Sequence, residues 1–175
     1  MTAGARDRIA FIALACVALA ACAVAYALQH GGPELLPCPY CVLQRYAYAA
    51  IILAATAGAA DPRRARIHAS LAFVAAIAGL ALAGWQIAHG ASMTSCKVDP
   101  VGEFVNGLPM AAWWPQFLAA EGSCADARAT VLGVPIPIAS LATFAALFAA
   151  TAWRTISRRA PGLDREPAVA RKGGQ

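Results

Sequence analysis

The sequence predicts an all-α membrane protein, a bundle of four transmembrane helices, and three observations carry that expectation. Four apolar stretches, Ile9–Leu28, Val42–Ala60, Ile67–Ile87 and Ile136–Trp153, each approach the roughly 20 residues a helix needs to cross a bilayer at a rise of about 1.5 Å per residue. Only 13% of the residues are charged while 60% are hydrophobic, where a soluble domain carries about 25% charge. Eleven of the 14 Lys and Arg residues gather at the ends of the apolar stretches, and only Arg45 lies within one. Backbone polar groups in lipid must bond inside their own segment, so these stretches are expected to be helices. Alanine dominates them, which favours helix and lets backbones approach closely.

The first span is preceded by Arg6 and Arg8, and the turn between the second and third carries Arg63, Arg64 and Arg66. The chain after the fourth carries Arg154, Arg158, Arg159, Arg165, Arg171 and Lys172. Positive charge marks the cytoplasmic side, so both termini are expected there, in a bacterial inner membrane. The connections His30–Cys41 and Ala88–Pro135 then face the periplasm. Nucleic-acid binding would need a basic face interleaved with aromatics, and the clustering at span ends does not offer one. Arg6 and Arg8 before an apolar run also resemble a signal peptide, and Leu19-Ala20-Ala21-Cys22 a lipoprotein cleavage box. The run stays apolar through Ala23–Leu28, so a retained span is expected. Residues 1–160 form one membrane domain, with a disordered basic tail over 161–175. In the long second loop, Pro109–Ala120 holds Trp113, Trp114 and Phe117 and is too short to span; it is expected as a short interfacial helix.

The topology sorts the six cysteines. Cys16 and Cys22 lie within the first span, about 9 Å apart along a helix axis, beyond the roughly 7 Å limit for a disulfide. They are expected to be small buried hydrophobes. Cys38, Cys41, Cys96 and Cys124 all fall in the two periplasmic loops, where oxidation favours disulfides. Three pairings are possible; Cys38–Cys41 with Cys96–Cys124 is the simplest. Four thiols also suit zinc, but only one C-x-x-C is present, and no metal site is expected. A four-residue ring closes little loop entropy, so the Cys38–Cys41 pair is expected to be redox-active. Cys41 stands immediately before the second helix, where free N–H groups and the helix dipole favour a thiolate. Arg45 lies one turn deeper on the same face and adds an always-charged five-donor group beside it.

Pro37-Cys38-x-x-Cys41-x-x-Gln44-Arg45 at the start of a second helix resembles the DsbB family of quinone-linked membrane thiol oxidases. So do Trp114-Pro115-Gln116-Phe117 leading to Gly122-Ser123-Cys124, and Leu132-Gly133 and Pro137 before the fourth helix. The resemblance runs from about Ile9 to Trp153. It implies a relay in which a periplasmic DsbA-like dithiol attacks the Cys96–Cys124 bridge at Cys96. Cys124 then engages Cys38, and Cys41 is freed toward a membrane quinone, either ubiquinone or menaquinone. By position Arg45 resembles the family's quinone-site arginine, and His89, after the third span, is a further candidate near that site. The Pro39-Tyr40 spacer is also found in glutaredoxins, but no βαβ pattern surrounds it. The third span offers few polar side chains to close a quinone pocket. Two other readings stand beside this one. A vitamin K epoxide reductase-like oxidase would carry its C-x-x-C near a late helix, and a membrane scaffold would use the disulfides only as staples.

Overall fold

The computed structural model describes residues 3–30, 36–89, 100–122 and 130–157. Its long helices are α1 (Ala3–Gln29), α2 (Pro39–Ala60), α3 (Ala65–His89) and α7 (Ile136–Ser157). All four are long and apolar enough to cross a membrane, as the apolar stretches led one to expect. Between α3 and α7 lie the short helices α4 (Pro100–Asn106), α5 (Pro109–Trp113) and α6 (Pro115–Leu118), then a two-stranded hairpin, β1 (Thr130–Val131) and β2 (Val134–Pro135).

Three boundaries move by more than two residues from the sequence expectation, because backbone hydrogen bonding continues past the last apolar side chain. α1 begins at Ala3 and takes in Arg6 and Arg8, and α7 continues beyond Trp153 to Ser157. The third difference bears on the chemistry. α2 starts at Pro39, not Val42, because Pro39 occupies the first helical position, where its missing N–H costs nothing, and Cys38 is the N-cap. Cys41 therefore lies inside the first turn rather than ahead of the helix. The expected interfacial helix is also divided. Pro109 and Pro115 each open a separate short helix, with Trp113 and Trp114 exposed. The β hairpin had no counterpart in the sequence reading. Its tip holds Leu132 and Gly133, both at positive φ, as a two-residue hairpin turn with two left-handed positions requires.

α2 is the central helix. It packs against α1 on one side and α3 on the other, and α3 packs in turn on α7. The seam of α3 explains how the helices come so close. Its buried residues are Ala65, Ala69, Ala72, Ala76, Gly79, Ala83 and Gln86, alternating four and three apart, the spacing that keeps one narrow stripe against a partner. Small side chains on that stripe let backbones approach. A Cβ on Gly79 would clash with the Phe144 ring, and one on Gly58 would lie 2.8 Å from the Phe11 ring. Phe144 is fully buried and stacks on Tyr48, with ring centroids 4.1 Å apart. The opposite faces carry Leu19, Leu53, Leu71 and Val74 outward, as lipid requires.

α1 and α7 touch far less than the three neighbouring pairs do. They are joined at the end holding the start of α1. There Arg154 pairs with Asp7 at 3.7 Å, donates to the Arg6 carbonyl and lies over the Phe11 ring at 5.1 Å. Toward the other end they part and leave a cleft. Gly79→Ala is expected to lower stability by about 1–3 kcal/mol through overpacking, whereas Gly84→Ala, with open space about its Cβ, should be neutral or slightly stabilising. Unfolding of both variants in detergent checks the α3–α7 approach, and equal stabilities would contradict it.

Candidate functional site

The site forms where the end of α1, the start of α2, the end of α3 and the start of α7 converge. Cys38 is fully buried and Cys41 partly exposed. The thiols lie 3.0 Å apart, with Cys38 donating to Cys41. The Cys41 N–H donates to the Cys38 sulfur at 3.4 Å, capping the helix, and the Val42 N–H donates to the Cys38 carbonyl at 3.0 Å. A disulfide needs sulfurs about 2 Å apart, so a shift of about 1 Å would close the bond.

Two glutamines hold this pair from the side. Gln86 of α3 donates through Nε2 to the Cys38 sulfur at 3.4 Å and the Cys41 sulfur at 3.3 Å. Its Oε1 accepts from Gln44 Nε2 at 2.7 Å. Gln44 Oε1 accepts in turn from the Ser140 hydroxyl, which lies 3.2 Å from the Tyr48 hydroxyl. One polar chain thus crosses α3, α2 and α7 inside an apolar bundle.

Arg45 is 5% exposed, and no carboxylate pairs with it among the described residues. Neutral oxygens satisfy it instead. Its Nη1 donates to Gln29 Oε1 at 2.9 Å and to the Phe117 carbonyl at 2.7 Å, and the guanidinium lies over the Phe117 ring at 4.7 Å. Gln29 Nε2 donates to the Gln116 carbonyl, so the last residue of α1 and the helix α6 close over the cation together. The Arg45 Nε is buried and has no hydrogen-bond partner among the described residues.

Cys41, Gln44, Arg45 and Tyr48 form one wall of a cavity of about 410 Å³ between α1 and α7. Ala21 and Val24 of α1 and Ile136 and Ser140 of α7 line its sides. Of the residues singled out in the sequence, Cys38, Cys41 and Arg45 are brought together. His89 is exposed at the end of α3, stacked on Trp85 at 4.0 Å, and is not among the residues lining this cavity. Cys96 and Cys124 lie outside the described residues. The chain just before Cys124 is placed, however: the N–H groups of Glu121 and Gly122 both donate to the Pro37 carbonyl, at 3.1 and 3.2 Å, and Pro37 immediately precedes Cys38. Of the two intramembrane cysteines, Cys22 is buried as expected, but Cys16 is exposed on the outer face of α1.

Sequence reasoning assigned no role to Gln29, Gln44, Gln86 or Ser140. For Gln86 a signal existed. It continues the small-residue seam of α3, so its amide had to face the helix partners rather than lipid.

A four-span helical membrane protein with a C-x-x-C pair at the wall of an apolar cavity belongs, by fold and site, among membrane thiol–disulfide proteins. The family model described as disulfide bond formation protein DsbB matches residues 7–154. The disulfide bond formation protein B of Herminiimonas arsenicoxydans is 41% identical over 140 residues, covering 79% of this chain and 88% of that protein. The protein of the same name from Nitrosomonas europaea is 38% identical over 153 residues, covering 83% and 92%, and that from Ralstonia nicotianae 34% over 138 residues, covering 78% and 86%. The chain belongs to the DsbB family of disulfide-forming membrane oxidoreductases.

In the folded dithiol form, a small membrane-permeant maleimide should modify Cys41 before Cys38, because Cys41 borders the cavity while Cys38 is enclosed. Peptide-resolved mass spectrometry over a time course gives the order, and equal rates would contradict the enclosure of Cys38.

Proposed function

We propose that this protein reoxidises a DsbA-like periplasmic dithiol and delivers the electron pair to a membrane quinone, ubiquinone or menaquinone. One observation carries the reading: Arg45, a cation with no carboxylate partner among the described residues, lines an apolar cavity with Cys41 beside it. A cation in an apolar wall suits an acceptor oxygen such as a quinone carbonyl. The cavity volume lies within the usual range for small-molecule sites, about 300–1,000 Å³. Arg45 would hold the carbonyl, and the apolar α1 and α7 walls would hold the ring and the start of its tail. Bound there, a quinone supplies a two-electron, two-proton acceptor that dissolves in the bilayer.

The remaining chemistry belongs to the chain's own cysteines. A client thiolate attacks Cys96 of a Cys96–Cys124 bridge; a mixed disulfide forms and Cys124 leaves as a thiolate. That thiolate attacks Cys38 of the Cys38–Cys41 bridge, and Cys41 leaves as a thiolate. The second client thiol then displaces Cys96, so the client leaves oxidised; Cys96 displaces Cys38 from Cys124 and restores the Cys96–Cys124 bridge, and the Cys38–Cys41 bridge would re-form as its electron pair passes to the quinone. The double hydrogen bond to the Pro37 carbonyl supports the middle step. It ties Gly122, two residues before Cys124, beside Pro37, one residue before Cys38, and each residue of slack spans at most about 3.6 Å. The helix N-terminus stabilises negative charge on the Cys41 leaving group. DsbA sits near −120 mV, and each 30 mV uphill costs about 1.4 kcal/mol for a two-electron couple, so a glutathione-like acceptor near −200 mV would not regenerate it efficiently. The Arg clusters beside the spans support cytoplasmic termini in an inner membrane.

Purified protein given reduced DsbA and a quinone should consume the quinone, and no consumption with either quinone type would refute the assignment. Cys38→Ser, Cys41→Ser, Cys96→Ala and Cys124→Ala should each abolish turnover, while Cys16→Ala and Cys22→Ala retain it. Full turnover in Cys41→Ser would exclude the relay. Arg45→Ala should raise the quinone KM about tenfold or more, as expected for losing a charged hydrogen bond, and an unchanged KM would remove Arg45 from the quinone site.

A further inference from the structure

Gln86 is 3% exposed, and every polar atom of its side chain is engaged. Its oxygen is taken by the Gln44 amide at 2.7 Å, which turns its nitrogen to the sulfurs of Cys38 and Cys41 at 3.4 and 3.3 Å. Gln44 is itself oriented by the Ser140 hydroxyl. Such an amide could serve only as an interhelical fastener, as polar side chains between membrane helices do. Its direction argues for more. Gln44 alone would satisfy a fastener, yet the free end of Gln86 is spent on two sulfurs. Sulfur in a thiol or disulfide is a weak acceptor, whereas a hydrogen bond to an ionised acceptor is roughly twice as strong as a neutral one. The contact therefore stabilises the reduced pair, once it carries a thiolate, more than the oxidised pair.

We propose that Gln86 is a positioning residue that raises the redox potential of the Cys38–Cys41 pair by donating its amide N–H to the pair's thiolate, with Gln44 orienting that amide. Oxidation of the thiol–thiolate pair breaks one S–H bond, forms one S–S bond and releases one proton and two electrons, and the buffer supplies the second proton that the oxidant takes up. In the test below, the electrons reduce glutathione disulfide to two glutathione molecules. The proposal rests on the redox role given above to Cys38 and Cys41, but on neither the quinone nor the client.

The test equilibrates full-length protein in detergent with glutathione buffers of varied ratio. Alkylation and peptide-resolved mass spectrometry then read the oxidised fraction of Cys38–Cys41. Gln86→Met keeps side-chain volume without a donor, and Gln86→Glu keeps the shape and the acceptor. In both, the equilibrium constant for oxidation by glutathione disulfide should rise about tenfold or more, a fall in potential of about 30 mV or more. Gln44→Leu should shift it the same way by a smaller factor. Thermal unfolding of each variant is measured in parallel. Reduced stability with an unchanged oxidation constant would make Gln86 a fastener and overturn the proposal, as would a rise in potential. A wild-type pair that stays reduced even under an excess of the dithiol oxidant diamide would overturn the redox role itself, and the proposal with it.

Discussion

The burial of one cation organises this molecule. A guanidinium stays charged, and in an apolar bundle it must be met by oxygen atoms or aromatic faces. Arg45 finds Gln29 Oε1 at the end of α1, the Phe117 carbonyl of α6 and the Phe117 ring. Satisfying it therefore draws part of the segment between α3 and α7 down onto the bundle and fixes the end of α1 beside the start of α2. The cavity wall and the enclosure of the thiols both follow from that arrangement. Because the cation's partners are neutral, its charge is undiminished where the cavity begins.

The bundle is asymmetric along its length, and the asymmetry places the cavity. At the end holding both chain termini of the helical core, Arg154 ties α7 to Asp7 and Phe11 of α1. At the thiol end nothing comparable joins these helices among the described residues, and the space between them is the cavity. α3 contributes in another way. Its small-residue seam brings it close to its neighbours, and Gln86 at the end of that seam delivers an amide to the sulfurs. The same close packing that stabilises the bundle thus aligns a donor with the reactive pair.

Much of this was legible in the residues. The four spans followed from apolar length, and the grouping of Cys38, Cys41 and Arg45 followed from their spacing at a helix start. The start of α2 was misplaced because apolarity marks where lipid begins, whereas Pro39 and the Cys38 cap mark where the helix begins. The polar chain from Gln86 to Ser140 was not legible as a chain. Its members lie on three helices far apart in sequence, and each taken singly is a tolerated polar residue in a span. The hairpin before α7 was missed because two residues per strand leave no alternation to detect.

By itself the sequence determined the number of helices, their membrane character and the placement of a C-x-x-C pair one turn from a cation. These are local properties, set by hydrophobic length, helix capping and i to i+4 spacing. Only the tertiary structure decided that α1 and α7 part around a cavity, that His89 does not line it, and that Gln86 rather than a histidine touches the sulfurs. Those outcomes depend on which helix faces meet. That is a balance of packing and hydrogen bonding between distant segments, which no single stretch of chain encodes.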